Sequence, residues 1–179
     1  MEWRRRSHDD EISVVLPGEL RAGEWVVRGV RTDDAAALAA LASRMGYQWG
    51  DLLRVPGSEQ ETVDLIAEWD ALRATGRADL VGMFSPDNKP LFAAVVQRHD
   101  LTAELSGWGT AVESERKVVV KGMAVWTAYL RGSCELVRLW IDLPPHDRHT
   151  DFLTHQAGFR SEGLVTRADG TPRERISSL

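Results

Sequence analysis

The sequence has few of the residues that mark secreted, metal-binding or membrane proteins. Its single cysteine, Cys134, cannot form an intrachain disulfide. His146 and His149 could share a helical face, but His155 is not at a metal-ligand interval, so we expect no metal site. No apolar run approaches the roughly 18–20 residues that cross a bilayer. Residues 1–6 also lack the apolar stretch that would follow in a signal peptide. We therefore expect a cytoplasmic protein without membrane association.

Positive charge is also in short supply. The chain has 22 Lys and Arg against 27 Asp and Glu, a formal net charge of −5. Phosphate neutralisation supplies most of the affinity of nucleic-acid-binding proteins, so general nucleic-acid binding is disfavoured. Hydrophobic residues make up 43% of the 179 residues, enough for one core. We expect an N-terminal arm at residues 1–22 followed by one domain at residues 23–179.

The alternation of apolar and turn-forming residues predicts an α/β (α+β) domain. Gly107 and Gly109 fall inside one predicted strand, where glycines often mark a bulge or the close approach of another backbone. Residues 46–57, with Tyr47 and Trp49, are predicted to form an irregular loop. The predicted strands are 25–31, 80–84, 91–97, 104–112, 135–143, 159–166 and 172–177, and the predicted helices are 35–45, 59–74, 116–131 and 147–157. This order fits a mixed, mostly antiparallel sheet with helices on both faces.

Two short segments resemble the GNAT-type acetyltransferases, especially the branch that acetylates protein N-termini and small amines. Arg31-Thr32-Asp33-Asp34-Ala35 resembles the end of that family's first strand and its acid-capped first helix. Gly158-Phe159-Arg160-Ser161-Glu162-Gly163 is similar to the family's Gly-Phe-x-x-Glu-Gly turn. The second segment also has a purely structural explanation, since Gly158 can end a helix in a left-handed conformation.

The resemblance implies where acyl-CoA would bind. Acetyl-CoA, or another acyl-CoA, would lie where strands 104–112 and 135–143 splay apart, with its pantetheine arm paired to the first strand. Its pyrophosphate would meet the start of helix 116–131, a favourable place for anions. This sequence departs from the family because residues 111–117 contain no glycine and include Glu113 and Glu115. The cofactor-binding residues implied by the resemblance are Trp108, Thr110, Ala111, Val112, Ser114, Arg116 and Lys117.

Transfer of an acyl group to an amine needs a base for the ammonium proton and an acid near the departing sulfur. Glu104 is our candidate base, and it could equally be a surface residue. The family often places a tyrosine acid where this sequence has Thr154, and an asparagine where it has Asp147. Asp147 could instead be an ordinary helix cap. Trp49 and His99 are candidate acceptor-binding residues, with core packing and surface exposure as their alternatives.

Two functions follow from these observations. The first is acyl-CoA-dependent N-acyl transfer, most simply acetyl transfer to an amine of a small molecule or to an exposed amino group. The second is a GNAT-like scaffold that has lost CoA binding and acts as a binding or regulatory module, or uses another acyl donor. We favour the first, and the sequence leaves a homodimer open.

Overall fold

A computed structural model describes residues 13–145 and 154–178 of the chain. Within these ranges the chain forms nine strands and three α-helices. The helices are α1 (Ala35–Ala42), α2 (Glu59–Arg73) and α3 (Arg116–Ser133). The strands are β1 (Glu19–Ala22), β2 (Trp25–Gly29), β3 (Met45–Trp49), β4 (Ala78–Phe84), β5 (Pro90–His99), β6 (Thr102–Thr110), β7 (Arg138–Leu143), β8 (Arg160–Thr166) and β9 (Pro172–Ser178).

All nine strands belong to one sheet, in the order β1-β2-β4-β5-β6-β7-β9-β8, with β3 attached beside β6. Neighbouring strands are antiparallel except β6 and β7, which are parallel. The sheet is therefore mixed and mostly antiparallel, as the sequence predicts.

Helices cover both faces of this sheet. The core on one face joins side chains of α1 and α2 to Trp108 of β6. The core on the other face joins Trp126 and other side chains of α3 to Trp49 and Phe92. Residues of β6 that alternate along the strand therefore face different helices, so Trp108 points away from Gly107 and Gly109.

Residues at the two ends of α2 explain why its bounds are predicted correctly from the sequence. The Ser58 hydroxyl accepts a hydrogen bond from the Glu61 N–H at 3.1 Å, which satisfies a free donor at the helix start. Arg73 at the other end complements the helix dipole, and its guanidinium also pairs with Asp79 at 2.6 Å. The helix runs within one residue of its predicted bounds.

Several predicted boundaries differ from the structure. Helix α1 ends at Ala42 instead of residue 45, and the predicted loop 46–57 contains most of β3. Strand β6 ends at Thr110, and β7 begins only at Arg138. Of the predicted helix 147–157, residues 154–156 are described and are helical.

Residues 13–22 of the predicted arm pack onto the domain. Val14 and Leu16 are buried in the core beside α3, and β1 pairs with β2 at the edge of the sheet. The Leu16 N–H donates to the buried Asp79 carboxylate at 2.9 Å. Among the described helices, none combines the length and the apolar character that crossing a bilayer would require.

Candidate active site

The central strands β6 and β7 part soon after they begin. Their parallel pairing joins Thr102, Ala103 and Glu104 to residues 138–140 and goes no further. Beyond this point β7 continues against β9, and β6 continues against β5. A gap, here called the wedge, therefore opens between β6 and β7 directly after Glu104. This parting confirms the predicted splay of the two strands.

Strand β3 fills the wedge. Tyr47, Gln48 and Trp49 lie opposite Gly109, Trp108 and Gly107 in an antiparallel register. Since the same stretch of β6 pairs with β5 on its other edge, β3 must occupy the edge that faces β7. The expectation that this edge leaves peptide groups free for a ligand is therefore wrong for the conformation described. Residues 45–49 carry no clear strand pattern, because β3 has only five residues and begins close to the end of α1.

The two glycines of β6 make room for β3. A Cβ on Gly109 would lie 2.7 Å from the Tyr47 hydroxyl oxygen, and a Cβ on Gly107 would overlap the Trp49 ring and lie 2.6 Å from the Ala93 carbonyl oxygen. The pairing of β5 with β6 shows no register shift at either glycine. The close approach predicted from these glycines is thus made by the aromatic side chains of β3 and by the β5 backbone.

Both aromatic side chains of β3 are buried. The Tyr47 and Trp49 rings stack at 5.6 Å, and the Trp49 ring meets Phe92 edge-on at 6.0 Å. The Tyr47 hydroxyl and Trp49 Nε1 have no hydrogen-bond partner among the described residues. Burial raises the pKa of Tyr47 above that of an ordinary phenol, so the hydroxyl stays protonated.

Acidic side chains occupy the start of α3. A turn of 3-10 helix, Glu113–Glu115, leads into it. One Glu115 carboxylate oxygen accepts from Lys89 Nζ at 3.1 Å, while Oε2 is buried without a partner in the described parts of the chain. Glu113 lies 3.8 Å from Arg116. With β3 along β6 and a carboxylate at the helix start, acyl-CoA does not fit this conformation.

The implied cofactor-binding residues surround this helix start. Thr110 is buried, lies opposite Met45 and accepts from the Val112 N–H at 3.2 Å. The Trp108 side chain lies in the core on the α1 and α2 face, away from the wedge. The remaining residues are exposed or, for Arg116, partly exposed: Ala111, Val112, Ser114, Arg116 and Lys117.

A cavity of about 530 Å³ lies at the other end of the wedge. We call it the hairpin cavity, because the turn between β8 and β9 forms one wall. It is lined by Leu52, Glu104, Asp142, Thr166, Arg167, Ala168, Asp169 and Arg175. Glu104 belongs to the last residue pair before the strands part, so its side chain lies where the wedge and the cavity meet.

Three arginines of the C-terminal hairpin pair with carboxylates around this cavity. Arg167 donates to Glu104 at 2.9 Å and also lies 3.3 Å from Asp51 and 3.6 Å from Asp142. Arg175 holds Asp142 with two hydrogen bonds of 2.7 and 2.8 Å. Arg173 holds Asp51 at 2.8 Å.

Burial dominates the electrostatics of Glu104. It raises the pKa of this carboxyl above its ordinary value, Arg167 opposes the rise, and the charge of Asp142 adds to it. A carboxylate with a raised pKa accepts a proton more readily, which is the property a general base needs near neutral pH.

The other predicted site residues lie apart from this cluster. Thr154 is buried, and its carbonyl accepts from the Phe159 N–H at 3.0 Å in the turn after the helix. His99 is exposed at the end of β5, with its ring 5.4 Å from the Trp140 ring. Trp49 belongs to β3, and Asp147 lies outside the described residues.

Of the charged cluster, sequence reasoning identified only Glu104 and missed Asp51, Asp142, Arg167, Arg173 and Arg175. Asp142 is a lone carboxylate inside the apolar strand β7, and a buried charge of this kind marks a paired or functional site. Arg167 had no such signal, because it meets Glu104 only through the fold, 63 positions along the chain.

Comparison with known proteins finds similarity in structure alone. No protein-family model matches the chain. No curated protein matches its sequence. Among solved structures, one described as a candidate ribosomal-protein-serine acetyltransferase of Vibrio cholerae superposes with a TM-score of 0.78 at 14% identity, covering 92% of this chain and 99% of that one.

Two further structures give the same result. Mycobacterium smegmatis RimJ, solved in complex with CoA-disulfide, has a TM-score of 0.72 at 18% identity and covers 89% of this chain and 85% of its own. An acetyltransferase of the GNAT family from Bacillus anthracis has a TM-score of 0.69 at 13% identity, with 90% and 98% covered. The chain therefore has the fold of the GNAT-type acetyltransferases and is a divergent example of it.

Proposed function

We propose that the chain is an acyl-CoA-dependent N-acyltransferase, with an acetyl group as the simplest acyl group. One observation carries the proposal: β6 and β7 part directly after Glu104, and its half-buried carboxylate lies between the wedge and an open cavity. The fold it shares with known acetyltransferases supports the same reaction by analogy. A CoA-bound neighbour supports CoA as the acyl carrier.

The acceptor half of the reaction follows from the hairpin cavity. An amine must lose its ammonium proton before it attacks the thioester carbonyl, and Glu104 is placed to take that proton. The attack forms an amide bond and breaks the carbon–sulfur bond, and the departing sulfur takes up a proton. Burial raises the pKa of the Glu104 carboxyl, which makes transfer of the ammonium proton to it less unfavourable.

The charges around the cavity favour an amine acceptor. Glu104 and Asp142 line the cavity, and Asp51 is joined to them through Arg167; each of the three carboxylates is held by an arginine of the C-terminal hairpin. An ammonium group can share these carboxylates with the guanidinium groups. The acceptor is therefore an amine of a small molecule or an exposed α-amino group, and a structural neighbour described as acting on a ribosomal protein fits the second class.

Acetyl transfer to two probes tests this proposal. The protein is incubated with acetyl-CoA and either a short peptide with a free N-terminus or the polyamine spermidine. We expect released thiol and an acetylated product, detected by mass, with at least one probe. Titration calorimetry with acetyl-CoA measures donor binding separately. Absence of heat at high micromolar ligand, together with no product, would refute the proposal.

A second candidate is a binding module that no longer uses CoA. It is favoured by β3 in the wedge and by the carboxylates at the start of α3. The double variant Glu113→Lys/Glu115→Lys separates the two functions. If phosphates dock there, four units of charge reversal should tighten acetyl-CoA binding by about tenfold. If the chain is a CoA-free module, neither protein gives heat, and the variant retains its function.

A further inference from the structure

We propose that β3 is an internal competitor for the wedge: it occupies the free edge of β6 and must leave before an acyl-CoA can bind. The juxtaposition that carries this inference is the pairing of β3 with the half of β6 that has parted from β7. The inference rests on the proposed acyltransferase function and adds a conformational step to it.

Strand β3 and a bound acyl-CoA cannot occupy the wedge at the same time. Strand β6 has two edges that can form hydrogen bonds, and from Gly107 to Gly109 the edge that faces β5 is already paired. The opposite edge can hydrogen-bond to one extended chain at a time. Strand β3 takes that place now, so a ligand that pairs with the same peptide groups can bind only in its absence.

Several contacts hold β3 in the wedge. Besides the ladder to β6, the buried Ser106 hydroxyl donates to the Trp49 carbonyl and accepts from the Leu53 N–H, each at 3.0 Å. The Tyr47 and Trp49 rings fill the space above the two glycines. These contacts make the filled wedge the ground state of the free protein.

Other features make β3 poorly suited to permanent burial. The Tyr47 hydroxyl and Trp49 Nε1 are buried with no partner among the described residues, and a buried polar group without a hydrogen bond costs free energy. The ladder shifts register between Met45 and Tyr47, which shortens the regular pairing. Gly50 follows the strand with a φ of 67°, a backbone conformation that residues other than glycine rarely adopt, so the strand ends there.

The charges at the α3 end of the wedge also bear on this step. Tyr47 lies opposite Gly109, next to the last residue of β6, so its ring is at the end of the wedge that leads to α3. Glu115, in the turn before α3, has a buried carboxylate oxygen with no partner in the part of the chain that the structure describes. An occupant that brought hydrogen-bond donors here would satisfy groups that β3 leaves unsatisfied.

The consequence for binding is quantitative. If the wedge is open in a fraction f of the molecules, the apparent Kd equals the intrinsic Kd divided by f. Any change that holds β3 in place weakens acyl-CoA binding, and any change that loosens it tightens binding by the same ratio. If β3 were only a structural strand, such changes would alter the free energy of unfolding without altering the affinity for acyl-CoA.

A reversible disulfide tests the competition within one molecule. Met45 and Thr110 are direct cross-strand partners, so the variant Met45→Cys/Thr110→Cys can link β3 to β6. Acetyl-CoA is the probe, because it has no free thiol. We expect the oxidised protein to bind it at least about tenfold more weakly than the same protein after reduction.

A matched disulfide elsewhere is the control. Leu164 and Glu174 are partners between β8 and β9, away from the wedge, so Leu164→Cys/Glu174→Cys should bind acetyl-CoA equally in both redox states. In addition, Gln48→Pro removes one N–H from β3 and should tighten binding by about tenfold, whereas it would have no such effect on an already open groove.

The outcomes separate the two proposals. If the Met45–Thr110 variant binds acetyl-CoA with the same affinity when oxidised and reduced, the competition is refuted and the acyltransferase function survives. If the unmodified protein, the reduced variant and Gln48→Pro all fail to bind, the acyltransferase function is refuted and the inference falls with it. Weaker binding only in the oxidised wedge variant supports both.

Discussion

The two ends of the wedge are built in opposite ways. At the α3 end, the space beside β6 is filled by β3, whose aromatic rings carry polar atoms without a partner in the described parts of the chain. At the hairpin cavity, the space is open, and the carboxylates that line it are paired with arginines. The end that would receive the acyl donor is filled by β3, and the end that would receive the acceptor is an open cavity with paired carboxylates.

This difference shows that one fold can keep its two binding regions in different states. The hairpin cavity depends on ion pairs that join the C-terminal hairpin to β6 and β7, and these pairs require the strands to lie together in the sheet. The α3 end depends on a short strand that competes for a backbone edge. The experiments below ask whether the first region performs chemistry and whether the second region is held by packing.

The largest expected effect is at Glu104. If this carboxylate takes the ammonium proton, Glu104→Gln should lower kcat by about 10²–10⁴-fold, because the amide cannot accept it. Turnover is measured by thiol release with the better probe amine. Asp87→Asn, an exposed change in the turn between β4 and β5, is the control and should leave turnover unchanged. Equal activity in the two variants would exclude Glu104 as the base.

Packing at the closed end is tested at Gly107. Gly107→Ala should lower the free energy of unfolding by about 1–3 kcal/mol, because the new methyl group meets the Trp49 ring and the Ala93 carbonyl. Gly132→Ala is the matched control, since no heavy atom lies within 4 Å and alanine favours the helix by about 0.5–1 kcal/mol. Denaturant unfolding measures both. A neutral Gly107→Ala would mean that β3 is not packed against β6 in solution.

Arg167 links the charged end to pH. Arg167→Gln should move the Glu104 pKa further above its already raised value, because burial then acts with less opposition. A carboxyl whose folded pKa exceeds its unfolded pKa contributes stability at low pH that is lost as pH rises through the folded pKa. In the variant that loss should therefore occur at higher pH.

Carbon NMR titration of the Glu104 carboxyl measures this shift directly. Arg173→Gln is the matched control, because Arg173 pairs with Asp51 instead of Glu104. The acid limb of the pH–rate profile follows the Glu104 pKa, so it should move to higher pH in the Arg167→Gln variant and stay in place in the Arg173→Gln variant. An unchanged titration after loss of Arg167 would show that their ion pair does not control this carboxyl.

The smallest effect is expected at Tyr47. Tyr47→Phe removes a buried hydroxyl that has no partner within residues 13–145 and 154–178, so the free energy of unfolding should rise by about 0.5–1 kcal/mol. Tyr129→Phe removes a hydroxyl that donates to the Val15 carbonyl at 3.2 Å, and it should lower stability by about 1 kcal/mol. Opposite signs in the two variants are the diagnostic result. Destabilisation by Tyr47→Phe would reveal a partner for this hydroxyl.

Local sequence signals predicted those parts of the molecule whose structure depends on near neighbours. Ser58 and Arg73 bound α2 by a cap and a favourable end charge, and the helix lies where they predict. The turn-rich residues 85–90 correctly separate β4 from β5. Glu104, the predicted base, lies in the last residue pair before the central strands part, and its role as a base stays a prediction.

Other parts depended on the whole fold. Residues 45–49 have no strong strand pattern, and they form β3 only because β6 offers an unpaired edge beside two glycines. Arg167 meets Glu104 across 63 positions, a contact that no local pattern encodes. By itself, then, the sequence determined most of the helices and strands and the mixed, mostly antiparallel sheet, because periodicity, caps and turns act over short stretches of chain. The parting of β6 and β7 was expected only from the family resemblance. The tertiary structure alone decided which segment fills the wedge and which charges meet at its open end, because backbone edges and buried ion pairs are completed by residues far apart in sequence.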